Sequence, residues 1–300
     1  MVESEKHTHL HPKIRHLATA GYLDRETAIE NDHWLGYPIA KKAIEKMQAL
    51  LRHPDTHRMP NLIIYGPSNN GKTKILEKFL RDHPPSDNVE GDSASYPVMY
   101  IQMPIVADPK RFYIAILEKL FAPYRPTDNT IRLETQAIRL LKACGLKMLI
   151  IDEFHNMLGS RLDIQRQFLN LIRYLGNELK VPIVAAGTKS AVRALQIDEQ
   201  LANRFEPLSL PYWSFDKNYR TLLAGIEAII PLKLSSKISS ESLSKVILSM
   251  SEGTIGETFD LVRLAAIHAI NTNREKIDET ILKSCGYIPP SERRKAAEKI

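Results

Sequence analysis

Residues 66–73 read GPSNNGKT and directly follow the apolar residues 62–65, LIIY. This spacing of two glycines, followed by a lysine and a threonine, is typical of a phosphate-binding loop that connects a buried strand to a helix. Gly66 and Gly71 permit backbone dihedrals that are closed to other residues, so the loop amides can point inward at phosphate groups. The helix that follows adds the positive end of its dipole. The stretch therefore predicts a nucleotide site.

Each position of this loop has an expected role. We expect Lys72 to reach the β- and γ-phosphates, and we expect the Thr73 hydroxyl to bind Mg²⁺. The expected cofactors are therefore ATP and Mg²⁺. The residues expected to surround the phosphates are Gly66, Pro67, Ser68, Asn69, Asn70, Gly71, Lys72, Thr73 and Lys74.

The composition is that of an ordinary globular protein. The 300 residues are 43% hydrophobic and 25% charged, and the net charge of +6 permits binding to a polyanion without requiring it. The two cysteines form no motif, and the N-terminus has no apolar run of signal-peptide length. We expect a cytoplasmic protein that does not enter a membrane.

Strand and helix patterns alternate along most of the chain. Short apolar runs predict strands at 62–65, 98–103, 148–151, 182–186 and 205–210, with helices between them. This alternation favours a parallel sheet flanked by helices. After residue 212 the pattern becomes helical, and we expect helices throughout 215–285. The predicted division is an N-terminal arm (1–30, expected to be flexible), an α/β nucleotide-binding domain (31–212), a small helical lid (213–285) and a basic, solvated tail (286–300).

The second half of the nucleotide site is expected after the run Met-Leu-Ile-Ile of residues 148–151. Asp152 and Glu153 follow it, at the carboxyl end of a buried strand, where ligands bind in open α/β sheets. We expect Asp152 to hold Mg²⁺ and Glu153 to orient and deprotonate the attacking water. A carboxylate pair at a turn can also cap a helix, but the buried strand and the upstream loop favour the catalytic interpretation.

These parts resemble the AAA+ ATPases, and the resemblance extends to further positions. Gln102 resembles the polar residue that restrains the strand-3 glutamate, and Thr188 resembles the sensor that contacts the γ-phosphate. Arg204 resembles the arginine finger that a neighbouring subunit inserts, although a surface salt bridge is the alternative for it. Trp34 resembles a residue that lines the adenine pocket, or it simply packs in the core.

The lid departs from the AAA+ pattern at one point. The family commonly has an arginine at the start of a lid helix, in a Gly-x-x-Arg setting. In this chain, residues 251–257 read SEGTIGE and place Gly256 or Glu257 near that position. Arg263, about two turns later, is a weak substitute. The resemblance therefore does not extend to a lid arginine that senses the γ-phosphate.

Longer strings resemble one branch of the AAA+ proteins, the TniB/TnsC-type transposition ATPases. The strings include WLGY at 34–37, HPDTHRMPN at 53–61, LFAPYRP at 120–126, YLGNEL at 174–179, LANRFEP at 201–207 and LSMSEGTIGE at 248–257. The likeness extends from about residue 10 to 270, is strongest to TniB, and rests on strings more specific than the phosphate loop.

This resemblance implies a regulator of DNA transposition. Members assemble with ATP on duplex DNA as rings or helical filaments, select a target, recruit a DDE transposase and disassemble on hydrolysis. A target-selection protein is a further partner that the resemblance allows. We expect sequence-independent contacts to DNA phosphates from Lys110, Arg111 and Lys189, although each alone could be a solvated surface charge. The neighbouring Phe112 and Tyr113 are expected in the core.

Two other functions use the same loop. A replication initiator or helicase loader would share every nucleotide-binding residue but would usually carry a further DNA-binding domain after the lid. A small-molecule kinase would need a pocket for the acceptor substrate. The expected placement of Glu153 and Arg204 favours water as the acceptor and hence hydrolysis.

Overall fold

The structure is a computed structural model that describes residues 7–56, 58–87 and 94–298. Within these residues the strands β1 to β5 are Asn61–Tyr65, Val98–Gln102, Met148–Asp152, Ile183–Gly187 and Phe205–Ser209. The helices α1 to α13 are Tyr22–Glu30, Pro38–Leu51, Lys72–Asp82, Pro109–Lys119, Thr130–Ala143, Leu162–Leu179, Lys189–Leu195, Glu199–Ala202, Lys217–Ile229, Glu241–Met250, Ile255–Asn271, Glu279–Ser284 and Pro290–Ala297. No helix in the described residues is both long enough and apolar enough to span a bilayer.

The described chain forms two compact units. The sheet unit comprises residues 39–68 and 72–211, and the helical unit comprises residues up to 38, 69–71 and from 212 onward. The phosphate-binding loop is therefore shared in sequence: residues 66–68 and 72–73 belong to the sheet unit, and 69–71 belong to the helical unit. The predicted domain boundaries stay a prediction.

The sheet unit contains a five-stranded sheet with the strand order β2-β3-β4-β1-β5. Every pairing is parallel, as expected for strands that are joined by crossover helices. The central strands β3 and β4 are buried along their whole length, which explains why they read as continuous apolar runs. The predicted α/β fold with a parallel sheet is confirmed. All five carboxyl ends lie at one edge, where the phosphate-binding loop leaves β1.

The core of the sheet unit is built from apolar faces of the helices packed on the sheet. Phe112 and Tyr113 at the start of α4 are fully buried, and the ring of Phe112 lies edge-on to Phe168 of α6 at 5.3 Å. The Tyr113 hydroxyl donates to the Glu134 carboxylate at 2.9 Å, so its polar end is satisfied as well. The expectation that this aromatic pair belongs to the core is met.

The helical unit contains α9 to α13 together with α1. Residues 230–240 are not helical, in contrast to the expectation of helices throughout 215–285. The cause is local: the Glu227 carboxylate accepts hydrogen bonds from the backbone amides of Ser236, Lys237 and Ile238 at 2.9–3.0 Å. These bonds replace helical bonds and hold the segment as a turn.

Both ends of the chain are more ordered than the sequence suggested. Residues 7–30 contain α1 instead of a flexible arm, because the buried Arg25 donates to Glu275 at 2.9 Å and to the carbonyl of Pro231. The basic tail contains α13, whose Arg294 pairs with Glu252 at 3.3 Å. Residues 1–6 of the predicted arm, 88–93 of the polar connection before β2 and 299–300 of the tail lie outside the described residues.

Candidate nucleotide-binding site

The phosphate-binding loop requires glycine at both of its predicted positions. A Cβ atom on Gly66 would lie 2.3 Å from the carbonyl oxygen of Leu210, so no other residue fits there without movement of the backbone. Gly71 has a φ of +84°, which is the left-handed region that glycine favours. The amide of Gly66 donates to the carbonyl of Gly187 at 3.2 Å, and this bond fixes the start of the loop at the end of β4.

Lys72, the first residue of α3, is 5% exposed and turns back over the loop. Its ammonium group donates to the carbonyl oxygens of Gly66 at 3.1 Å and Pro67 at 2.6 Å. Burial lowers the pKa of Lys72, while the nearby carboxylates of Glu153 and Asp152 act in the opposite direction. The lysine thus lies inside the loop, where a polyphosphate would meet its charge.

The carboxylate of Asp152, at the end of β3, accepts three hydrogen bonds. It accepts them from the Thr73 hydroxyl at 2.8 Å, the Tyr100 hydroxyl at 3.0 Å and the Glu153 amide at 2.7 Å. Burial, followed by the charge of Asp152, raises the pKa of Tyr100, so this hydroxyl stays a donor. The predicted metal residues Thr73 and Asp152 are therefore in direct contact.

This pair fits the predicted magnesium site in its chemistry. The described residues contain no group of three or more His, Cys, Asp or Glu side chains that could enclose a metal ion. Magnesium usually takes one or two protein oxygens and completes its octahedron with nucleotide phosphates and water. Thr73 and Asp152 supply such oxygens, and a bound Mg²⁺ would neutralise phosphate charge there.

Glu153, the predicted catalytic base, has a left-handed backbone with a φ of +53°. Such a conformation in a non-glycine residue occurs mainly where the surrounding structure imposes it, often at functional sites. Its carboxylate lies 3.3 Å from Nε2 of His155. The other ring nitrogen of His155, Nδ1, is buried and has no hydrogen-bond partner in the described structure.

His155 is a neighbour of the site that the sequence analysis missed. The available signal was its position two residues after Glu153 in the string DEFH at 152–155. Gln102, which was expected to restrain Glu153, instead aligns with Asp152 in the sheet register and is exposed. Paired residues share a face of the sheet, so Gln102 lies beside Asp152 and not beside Glu153. His155 is the side chain that lies against Glu153 at 3.3 Å, and the restraining role of Gln102 stays a prediction.

Thr188 lies at the same edge of the sheet, directly after β4. The preceding residue, Gly187, pairs with Tyr65 at the base of the phosphate-binding loop. The Thr188 hydroxyl is 2.6 Å from the Ser190 hydroxyl, and Lys189 between them is exposed. Thr188 therefore occupies the strand end between those of β1 and β3, and its sensor role stays a prediction.

Arg204 lies at the opposite edge of the sheet. Its carbonyl accepts a hydrogen bond at 2.8 Å from Asn61, the first residue of β1, whereas the phosphate-binding loop follows the last residue of β1. The length of that strand, about 13 Å, separates the two ends. The guanidinium donates to Asn177 at 2.8 Å, and its pKa is lowered by burial and then by the charges of Arg58 and Arg173. Arg204 is thus remote from the loop of its own chain.

Trp34 and the lid residues belong to the helical unit. Trp34 is half-buried in the segment between α1 and α2, where Tyr37 packs edge-on against Trp213 with ring centroids 5.1 Å apart. Its predicted role at adenine stays a prediction. Arg263 donates to the carbonyl of Asn31 at 3.3 Å. The weak substitute for a lid arginine is therefore engaged elsewhere in this unit.

Two of the three predicted DNA contacts start α4. The Lys110 ammonium donates to the carbonyl of Pro126 at 2.8 Å, and the Arg111 guanidinium lies 3.7 Å from Asp108. The loop that Lys110 touches leads into a cavity of about 640 Å³ whose lining includes Arg125, Arg132 and Arg139. These arginines were missed by the sequence analysis, because they are 7 residues apart and form no charge run. We call the five residues Lys110, Arg111, Arg125, Arg132 and Arg139 the basic surface.

Comparison with solved structures shows the fold. The chain is similar to the Aeropyrum pernix ORC1 protein in complex with DNA, with a TM-score of 0.62 and 16% identity over 87% of this chain and 68% of that chain. It is also similar to Cdc6p from Pyrobaculum aerophilum, with a TM-score of 0.60 and 16% identity over 84% and 68% of the two chains. The RuvB branch migration motor from Thermotoga maritima gives a TM-score of 0.53 and 15% identity over 86% and 72%. The fold is that of the AAA+ ATPases.

A search of curated proteins found no match. A family model does match, namely that of the bacterial TniB protein, over residues 25–215. The match includes the phosphate-binding loop, Asp152, Glu153, Thr188 and Arg204. Because this match spans more than half of the chain, the protein belongs to the TniB family, and its fold is the AAA+ fold of the similar solved structures.

Proposed function

We propose that this ATPase is a regulator of DNA transposition in the cytoplasm. With ATP bound, it oligomerises on duplex DNA as a ring or helical filament, selects the target and recruits a DDE transposase, and hydrolysis disassembles the complex. The observation that carries this proposal is the match of residues 25–215 to the TniB family. A target-selection protein is a further partner under this proposal.

The proposed chemistry divides between residues of one chain and a residue of its neighbour. Lys72 binds the β- and γ-phosphates, and Thr73 with Asp152 holds Mg²⁺, which would neutralise phosphate charge. Glu153 orients the attacking water and accepts its proton, while Thr188 contacts the γ-phosphate. Gln102, whose register partner is Asp152, is proposed to restrain the adjacent Glu153.

The position of Arg204 supports assembly. An arginine at the far edge of the sheet is a strand length from the loop of its own chain but can reach the nucleotide of an adjoining copy. Such head-to-tail contacts are heterologous and generate rings or filaments. ATP held between copies adds contacts that only the assembled state makes, so nucleotide binding favours assembly.

The basic surface supports binding to DNA through phosphates. Arg125 and Arg139 form no ion pair with the described residues, whereas Arg132 pairs with Asp128 at 3.3 Å. Unpaired guanidinium groups can bind phosphate bidentately without reading the base sequence. The similar ORC1 structure is a complex with DNA. Lys189, exposed at the start of α7, is a further proposed contact.

The test is electron microscopy and sedimentation of the protein with duplex DNA and a slowly hydrolysed ATP analogue. We expect rings or filaments that require both DNA and nucleotide, and an affinity for DNA that falls as salt concentration rises. A protein that stays monomeric at low salt with both ligands present would contradict the proposal. Retention of the transposase from the same element by these assemblies tests the recruitment step.

A replication initiator or helicase loader is the second candidate, and the similarity to ORC1 and Cdc6p favours it. Both functions need the same nucleotide residues, so hydrolysis does not separate them. Co-precipitation of the ATP-bound protein with a transposase or with a replicative helicase does, and we expect the transposase.

A further inference from the structure

The helical unit holds part of the phosphate-binding loop by direct contacts. The amides of Gly256 and Ile255, at the start of α11, donate to the Asn69 carbonyl at 2.9 Å and the Asn70 side-chain oxygen at 3.2 Å. The Asn69 side-chain amide donates to the Glu257 carboxylate at 3.2 Å. Asn69 itself is left-handed with a φ of +56°. The loop residues thus occupy the amides that a helix leaves free at its first turn.

A side chain at position 256 would displace the side chain of Asn69. A Cβ atom on Gly256 would lie 1.8 Å from the side-chain oxygen of Asn69. Gly256, one of the two residues near the expected place of a lid arginine, is therefore packed directly against the loop. The next residue, Glu257, brings a negative charge to the loop at this point.

The C-terminal segment neutralises that charge. Glu257 is 8% exposed, and its second oxygen accepts hydrogen bonds from the Tyr287 hydroxyl at 2.7 Å and from the guanidinium of Arg293 in α13. Arg293 is half-exposed, so it can leave this pair at low cost to its own solvation. Asp260, which follows on α11, has a raised pKa because of burial and then because of the Glu257 charge. Arg293 is the cation that pairs directly with Glu257, whereas Asp260 is influenced by the charges of both Arg263 and Arg293.

We propose that Arg293 is a positioning residue for the nucleotide: by neutralising Glu257 it keeps Asn69 in place and removes a charge that would repel the phosphates. This inference rests on the proposed function, in which the phosphate-binding loop binds ATP. Without Arg293, the buried carboxylate of Glu257 stays beside the loop with only neutral donors, and like charge disfavours a polyphosphate there. The C-terminal helix then supplies the positive charge that the first turn of α11 lacks.

The test compares ADP affinities, measured by calorimetry, of variants on the same helix. We expect Arg293→Ala to weaken ADP binding about fivefold, and Arg293→Lys to restore most of the loss because it keeps the charge. Arg294→Ala is the matched control, because Arg294 pairs with Glu252 at 3.3 Å and not with Glu257, and we expect no change in affinity. Thermal unfolding without nucleotide checks that each variant folds.

The decisive comparison is the double variant Arg293→Ala/Glu257→Gln. If the charge of Glu257 causes the loss, ADP affinity in the double variant equals that of Glu257→Gln alone. An undiminished fivefold loss in the Glu257→Gln background, or an equal loss in Arg294→Ala, overturns the proposal and leaves Arg293 a structural residue. Failure of the proposed nucleotide binding would give a different result from failure of the Arg293 proposal. In that case the unmodified protein would bind no ADP, and Lys72→Ala would not change the binding.

Discussion

At the scale of single residues, Asp152 connects the parts of the proposed site. Its carboxylate accepts from Thr73 of the loop and from Tyr100 of the neighbouring strand, and its own backbone leads into the left-handed Glu153. The sequence was sufficient to predict that Asp152 and Glu153 lie at the carboxyl end of a buried strand, where ligands bind in open α/β sheets. It was not sufficient to identify His155, since a contact at 3.3 Å depends on the turn that Glu153 makes.

Lys72→Ala should weaken ATP binding and assembly on DNA together. The variant removes the buried ammonium group that lies inside the loop, and assembly depends on nucleotide bound between copies. We expect a loss of affinity of at least about tenfold, measured with a fluorescent ATP analogue. Lys78→Ala on the outer side of the same helix, where Lys78 pairs with Asp82, is the control and should bind normally. Normal binding by Lys72→Ala would remove the basis of the site.

Glu153→Gln should retain nucleotide binding and assembly while it stops hydrolysis. The amide keeps the size of the side chain but cannot accept a proton from water. A loss of about a hundredfold or more in the rate of phosphate release is expected, with persistent complexes on DNA. Hydrolysis at the unmodified rate would show that another group is the base.

His155→Ala should lower the hydrolysis rate about tenfold and leave ADP affinity unchanged, because it frees Glu153 without touching the loop. The measurement is phosphate release at saturating ATP, beside calorimetry with ADP. His53→Ala, which removes a surface ring near the carbonyl of Pro54, is the control. An equal fall in ADP affinity would mean that His155 supports the fold and not the base.

At the scale of elements, the sequence predicted those parts whose pattern is local. The predicted strands were correct within a few residues, because the apolar pattern of each strand is set by its own burial. The placement of α1 and α13 depends instead on long-range ion pairs, which no local sequence pattern reveals. These pairs are Arg25 with Glu275 and Arg294 with Glu252. The contacts that fix the chain ends therefore could not be derived from the sequence.

The buried pair of Arg25 and Glu275 predicts a pH dependence of stability. Burial alone would raise the pKa of Glu275, but hydrogen bonds from Arg25 and Lys233 outweigh it and lower the pKa from 4.5 to about 2. Because the folded-state pKa is depressed, this contribution is complete above about pH 4.5 and is lost as the pH falls toward 2.

Glu275→Gln should therefore destabilise the protein by about 3 kcal/mol at neutral pH, since it leaves Arg25 buried without its counter-charge. The difference in unfolding free energy between the two proteins should narrow as the pH falls from 4.5 to 2. Urea unfolding at several pH values measures it. A difference that stays constant over this range would mean that Glu275 contributes through packing and not through its charge.

At the scale of the whole molecule, the decisive feature is that the proposed catalytic residues lie at both edges of one sheet. The sequence could suggest that Arg204 acts in trans only by resemblance, and the hydrogen bond between Asn61 and Arg204 adds that this arginine lies a strand length from the loop of its own chain. The proposed oligomer cannot be derived from the sequence pattern, because a chain's pattern of buried residues describes its own core and not the faces between copies.

Mixing two inactive variants should restore activity if Arg204 acts in trans. The Arg204→Ala variant retains the proposed base Glu153, and the Glu153→Gln variant retains the proposed finger Arg204. A mixed assembly therefore contains complete sites wherever a Glu153 of one copy meets an Arg204 of the next. With random incorporation in equal amounts, about a quarter of the interfaces are complete, and we expect about a quarter of the unmodified phosphate release. Each variant alone should be inactive on DNA. No gain above the sum of the separate variants would place Arg204 outside the site.

The docking of α13 has a practical consequence for anyone who purifies or labels this protein. A tag or fluorophore fused after residue 298 would hang from the helix whose Arg293 and Arg294 contact Glu257 and Glu252. A bulky fusion there would be expected to displace α13 from Glu257 and Glu252 and so to change the nucleotide affinity that is being measured.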